Sequence, residues 1–208
     1  MKTLELLLLD CSPRLESSTS RHLTRQLLPA LSARFGRPVH ITQRNLGSEP
    51  LPAITTGYAE SLLLPADEAK ARYGDALALS DELIRELETT DVLWISTPVH
   101  NFTVPAVLKN WIDLVVRKDV TFTMTGDGKF GLLRDRPTFV AVTSGGGMFR
   151  EPPVQPDFFR PYLSAVLGVI GIMDITYLSA TRLAGTDAPL ERVEADANRY
   201  ADGVLQSR

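Results

Sequence analysis

Leu4-Glu5-Leu6-Leu7-Leu8-Leu9-Asp10-Cys11-Ser12-Pro13-Arg14-Leu15-Glu16-Ser17-Ser18-Thr19-Ser20 joins an almost unbroken apolar run to a loop dense in hydroxyls. A run of this length, ended by Asp10, Ser12 and Pro13, is expected of a strand buried on both faces of a parallel sheet. From Thr19 onward Leu23, Leu27 and Leu31 recur every four residues between Arg21, Arg25 and Arg34, which predicts an amphipathic helix ending near Gly36. Strand, hydroxyl loop and helix follow one another as in the opening of a βα unit.

The same alternation continues outward. Pro38 to Arg44 reads as strand two, Val92 to Ser96 as strand three, Thr138 to Thr143 as strand four and Ile172 to Ala180 as strand five. Between them fall helices marked by Leu77, Ile84 and Leu87. A further helix opens with Pro105 in its first turn and passes through Leu108, Ile112 and Val115 to Arg117 and Lys118. Another spans roughly Asp157 to Gly168, and a last one carries Leu190, Val193, Ala197 and Val204. Asn45 to Pro65 shows no sustained period and is expected to run over the surface; Gly126-Asp127-Gly128 suggests a small hairpin. Five buried strands with right-handed helical crossovers specify a three-layer α/β sandwich formed as one domain over residues 1–208. Among such folds the flavodoxin-like order 2-1-3-4-5 opens its ligand crevice where strands one and three diverge. Binding loops are therefore expected after strands one, three and four.

Composition narrows the function classes. A net charge of −3 and a pI of about 5.7, with Lys and Arg scattered, argue against nucleic acid as a partner. Cys11 is the only cysteine, so no internal disulfide forms and a reducing, cytoplasmic setting is expected. The N-terminal leucines read as a strand rather than a signal, because Asp10 precedes Cys11 where a cleavage site takes small neutral residues. The later apolar stretch Leu163 to Met173 is about half of a membrane span, so no membrane association is expected.

After strand one, backbone N–H groups at a helix start and the hydroxyls of Ser12, Ser18, Thr19 and Ser20 make a phosphate cradle in principle. Ser18 or Ser20 serving as a helix cap accounts for part of the same pattern. A phosphatase nucleophile at Cys11 is rejected, since Ser17 stands where Cys-x5-Arg requires arginine, and no G-x-x-x-x-G-K-[ST] is present. Strand three is followed by Thr97-Pro98-Val99-His100-Asn101-Phe102-Thr103-Val104-Pro105, and strand four by Thr143-Ser144-Gly145-Gly146-Gly147. Glycines permit close approach of backbone to a flat ligand whose polar edge takes hydrogen bonds from Asn101 and nearby N–H groups. A flexible glycine turn beside a surface histidine fits those two loops taken singly.

Pro98-Val99-His100-Asn101-Phe102, then Leu108-Lys109-Asn110-Trp111-Ile112-Asp113, then Val120-Thr121-Phe122, is a spacing that resembles the FMN-dependent NADH-azoreductases, relatives of the quinone reductases in the flavodoxin-like group. The likeness extends over nearly the whole chain. It implies an FMN-dependent NAD(P)H:quinone oxidoreductase or azoreductase working by ping-pong hydride transfer, with NADH or NADPH as donor. It implies that Ser12, Ser18, Thr19 and Ser20 hold the FMN phosphate. Pro98, Val99, His100, Asn101, Phe102, Thr143, Ser144, Gly145, Gly146 and Gly147 then surround the flavin ring. The flavin carries the chemistry, so no catalytic side chain and no metal is implied. His100 and Phe122 are the candidate substrate contacts, with Phe149 and Phe158 as further aromatics that serve equally well as core or interface. The resemblance also implies a homodimer with the FMN site at its interface, to which the helix bearing Trp111, Ile112 and Val115 is expected to contribute. Family members often carry Met-Tyr at Val99-His100 and Arg at Gly145, which directs attention to substrate choice. A flavin-binding redox sensor or a flavodoxin-type electron carrier with little turnover is the rival reading.

Overall fold

The computed structural model describes residues 3–14, 17–34 and 38–181. Its elements are β1 (Leu4–Asp10), α1 (Thr19–Arg34), β2 (Val39–Arg44), α2 (Thr56–Ser61), α3 (Ala66–Thr89), β3 (Val92–Pro98), α4 (Ala106–Val115), β4 (Phe122–Thr125), β5 (Gly128–Gly131), β6 (Thr138–Ser144), α5 (Phe159–Val169) and β7 (Ile175–Thr181). The sheet is parallel throughout, in the order β2-β1-β3-β6-β7. The expected order, 2-1-3-4-5, numbered five strands only. The chain spends two more, β4 and β5, on an antiparallel hairpin outside the sheet, so its fourth and fifth sheet strands are β6 and β7. The expected final helix at Leu190, Val193, Ala197 and Val204, the side chain of Leu31 and the helix end at Gly36 lie outside the described residues.

Successive residues of a strand point to opposite faces, and both faces are covered along β1, β3 and β6, whereas β2, expected to be buried, lies at the sheet edge with His40, Ile41 and Gln43 exposed. On one face Leu7, Leu9, Leu93, Ile95, Val140 and Val142 meet the apolar stripes of α3, α4 and α5. On the other, Leu4, Leu6, Leu8, Trp94, Phe139 and Ala141 meet Leu23, Leu27 and Leu28 of α1. That two-sided burial is why β1 reads as a run rather than an alternation. Each such leucine contributes about 2 kcal/mol by leaving water. The indole N–H of Trp94, buried at the centre of β3, donates to Thr24 Oγ1 of α1 at 2.9 Å, so this large core side chain carries its polar group without loss.

Three expectations change. The stretch from Asn45 to Pro65 contains α2, whose Tyr58 is buried and donates through its hydroxyl to the carbonyls of Asp113 and Leu114 at 2.8 and 3.2 Å. A segment without periodicity thereby clasps the end of α4. Pro105 lies one place before α4, where its carbonyl accepts from the N–H groups of Leu108 and Lys109, and the helix stops at Val115. Arg117 consequently turns inward rather than lying at a solvent-exposed helix end. It is 6% exposed and donates to Ser80 Oγ and Asp81 Oδ1. Finally, Trp111, Ile112 and Val115 are at most 2% exposed within this one chain and belong to its core, so they are not available to a partner.

The hairpin is seated on the connection between α5 and β7 by direct backbone contact. A Cβ at Gly131 would lie 2.1 Å from the Gly171 nitrogen, and Leu133 N–H donates to Ile170 O at 3.1 Å.

Candidate functional site

Parallel strands bring their C-terminal ends to one edge, and the loops leaving β1, β3 and β6 therefore open side by side. Cys11 N–H donates to Ser96 O at 2.8 Å and Val99 N–H to Thr143 O at 2.8 Å, tying the three loop stems together. Every predicted cofactor-binding position lies on or beside these loops.

The connection between β1 and α1 carries buried hydroxyls at both of its ends. Ser12, Ser18 and Ser20 are 4, 3 and 1% exposed, and Thr19 is half-buried. Ser18 caps α1, its Oγ accepting from Arg21 N–H at 3.2 Å, and lies 3.2 Å from Ser20 Oγ. Ser12 N–H donates to Asp10 Oδ1 and Ser12 Oγ accepts from Arg14 N–H. The loop backbone leans on Gly47, whose Cβ, if present, would stand 2.2 Å from Ser12 O. Capping is thus real at Ser18, and it leaves Ser12 and Ser20 as further buried hydroxyls at the same helix start.

Asp10, 2% exposed at the end of β1, pairs with Arg21 of the first turn of α1 at 2.5 Å. Arg21 Nη2 is buried without a hydrogen-bond partner. The unused guanidinium donor of Arg21, the buried hydroxyls of Ser12, Ser18 and Ser20 and the positive end of α1 are donor types suited to a dianionic phosphate. The phosphate of FMN fits it. Arg21 escaped the sequence reading because helical periodicity assigns it to the polar face. The available signal was Asp10, an acid closing an apolar strand and therefore in need of a cation. Burial pushes the Cys11 thiol well above its ordinary range, with the charge of Asp10 adding to the effect, so the thiol is inert as a nucleophile.

The loop after β3 is open. His100 and Thr103 exchange both backbone hydrogen bonds, at 2.9 and 3.0 Å, around Asn101 and Phe102, whose φ values are 47° and 72°. Two successive positive φ angles define a primed turn that normally takes Asn-Gly. Phe102 holds the second position against a strain of about 1 kcal/mol. Pro98 and Val99 are half-buried, and His100, Asn101 and Phe102 are exposed. After β6, Thr143 is half-buried and Ser144 buried, its Oγ accepting from Gly146 N–H at 3.3 Å. Gly146 and Gly147 are packed by Gln155 and Val154, and Gly147 takes φ +70°, so the segment from 147 to 155 folds back on its own stem. Gly145 is exposed, with no atom within 4 Å of its Cβ position.

Of the aromatic candidates, Phe122 is 8% exposed with Lys129 Nζ 5.2 Å above its ring, and Phe149 is half-buried under the Arg160 guanidinium at 5.1 Å. Phe158 is exposed and meets Phe102 edge to face, bridging the β3 and β6 loops. Lys109 pairs with Asp113 one turn on, and Asn110 donates to the carbonyls of Leu51 and Pro52. Both act on the local framework. Among the described residues no group of three or more His, Cys, Asp or Glu is placed to hold a metal, and no helix is long and apolar enough to cross a membrane.

Comparison with known proteins follows the same lines. A family model described as Flavodoxin-like fold matches residues 5–204. The FMN-dependent NADH:quinone oxidoreductase 2 of Cupriavidus pinatubonensis is 43% identical over 180 residues, covering 86% of this chain and 87% of the relative. The FMN-dependent NADH:quinone oxidoreductase 5 of Burkholderia lata is 40% identical over 196 residues, covering 94% of each. The crystal structure of an FMN-dependent NADH-azoreductase from Bacillus anthracis in complex with FMN superposes with a TM-score of 0.81 at 22% identity, covering 97% of this chain and 99% of that one.

Proposed function

The chain belongs to the flavodoxin-like family that includes the FMN-dependent NADH:quinone oxidoreductases, and on that premise we propose that it is itself an FMN-dependent NADH:quinone oxidoreductase that also reduces azo compounds. The observation that carries this reading is 40% identity to an oxidoreductase of that name over 94% of both chains. The buried hydroxyls of Ser12, Ser18 and Ser20 at the start of α1 support it from the structure.

Bound FMN would supply two-electron transfer from NADH to an acceptor. The chain's own residues then have separate tasks. Ser12, Ser18, Thr19 and Ser20 hold the phosphate, with Arg21 balancing both it and Asp10. Pro98, Val99, His100, Asn101, Phe102, Thr143, Ser144, Gly145, Gly146 and Gly147 would surround the ring, with Asn101 as a donor for its polar edge. His100, exposed on its turn, is placed to donate a hydrogen bond to the acceptor; an unchanged rate in His100→Ala removes it from this role. Phe122 remains a substrate contact only if Lys129 swings off its ring.

The assembly in this reading is a homodimer with the FMN site at the subunit boundary, working in the cytoplasm, where a lone buried Cys11 stays reduced. Met124, Phe130 and Leu132 of the hairpin, all exposed, offer apolar surface for it. A fully active monomer in sedimentation velocity would refute the dimer. The reading as a whole is tested by purifying the protein, recording its visible spectrum with added FMN, and following NADH consumption with a quinone. Flavin uptake with rapid turnover is expected; a colourless protein that takes up no FMN would overturn it.

A further inference from the structure

Phe102 and Phe158 are 43 and 59% exposed, and the backbone that carries each is held by hydrogen bonds. Phe102 sits at φ 72° in a turn closed by two hydrogen bonds. Phe158 directly precedes α5, held by Asp157, whose Oδ1 accepts from the N–H groups of Phe159 and Arg160 at 3.0 Å each. Their ring centroids are 6.5 Å apart and their planes cross at 73°. An edge-to-face pair leaves a free π face, and here that face stands in water at the edge of the sheet where the loops after β3 and β6 meet. The nearby aromatics differ, since Lys129 covers Phe122 and Arg160 covers Phe149.

We propose that Phe158, paired with Phe102, is the specificity-determining residue that selects planar aromatic acceptors for the oxidoreductase proposed above. An incoming fused-ring quinone stacks on the exposed face and drives water from both phenyl groups. A non-planar acceptor gains nothing from them. Both rings are preset, so the contact costs little ordering of side chains.

The test uses FMN-loaded enzyme with Phe158→Ala and Phe158→Tyr, each position being exposed enough to leave folding intact. A stacking contact of ordinary strength predicts that Phe158→Ala raises KM for a 1,4-naphthoquinone about fivefold relative to KM for ferricyanide, with kcat little altered. Phe158→Tyr, which keeps the ring, restores the wild-type ratio. Calorimetric titration with naphthalene-2-sulfonate, a planar probe that the enzyme does not reduce, is expected to show a similar loss of affinity in Phe158→Ala alone. An unchanged KM ratio, or an unchanged affinity for the probe, overturns the proposal. So does dissociation of Phe158→Ala from dimer to monomer in sedimentation, which assigns the pair to a subunit contact. Failure of the wild-type protein to take up FMN counts against the oxidoreductase reading instead, and the probe titration still decides for or against Phe158.

Discussion

At the β1–α1 end of the site Ser12, Ser18 and Ser20 are between 1 and 4% exposed and bonded to one another or to backbone, whereas at the β3 and β6 end His100, Asn101, Phe102 and Gly145 stand in solvent. The first end is polar and buried, and each of its groups is costly to leave unpaired. The second rests on two backbone hydrogen bonds and one aromatic pair. A phosphate has the same shape and charge in every turnover, so rigid buried donors suit it. Acceptors vary, and side chains on an exposed turn can be exchanged without disturbing the core. On the function proposed above, the difference separates the end that holds the phosphate from the end that meets the acceptor.

The largest break in this contrast is expected from Arg21→Ala. It leaves Asp10 buried without its cation and should cost about 3 kcal/mol in urea unfolding, with loss of FMN uptake in the same protein. Adding Asp10→Asn should recover part of the stability; no recovery would mean the pair does not act as a unit. Gly47→Ala comes next, at about 2 kcal/mol, because its methyl would displace the Ser12 carbonyl, and FMN titration should show weaker uptake. Ser18→Ala should cost about 1 kcal/mol as a lost helix cap, measured by thermal or urea unfolding. Gly145→Ala, at the open end, should stay within about 0.5 kcal/mol of the parent. A marked loss there would show that the second end is packed after all.

The sheet was legible because burial on both faces writes continuous apolar runs at Leu4–Leu9, Val92–Ser96 and Thr138–Thr143. The position of the binding loops followed from strand order alone. The short helix α2 was not legible, since six residues give too few turns for a period and its anchor is the single Tyr58. Nor was the inward turn of Arg117. A cation after a helix suggests a solvated end, whereas the hydrogen bonds of Thr121 with Val115 O and with the Arg117 backbone reverse the chain at once. At the site, hydroxyl content marked the start of α1, but the Asp10–Arg21 pair joins residues that no local pattern links. The covering of Phe122 by Lys129 depends on cross-hairpin geometry, and the meeting of Phe102 with Phe158 joins residues 56 positions apart on different loops.

The seam between Gly131 and Gly171 gives the β4–β5 hairpin two unequal halves. At its base any added methyl collides with backbone, whereas Gly126 and Gly128 at the tip have open space around them. A fluorescent label at Gly126 therefore has room, leaves the sheet edge and all three loops unmodified, and would change its signal if the apolar hairpin face beside it meets a second copy of the chain.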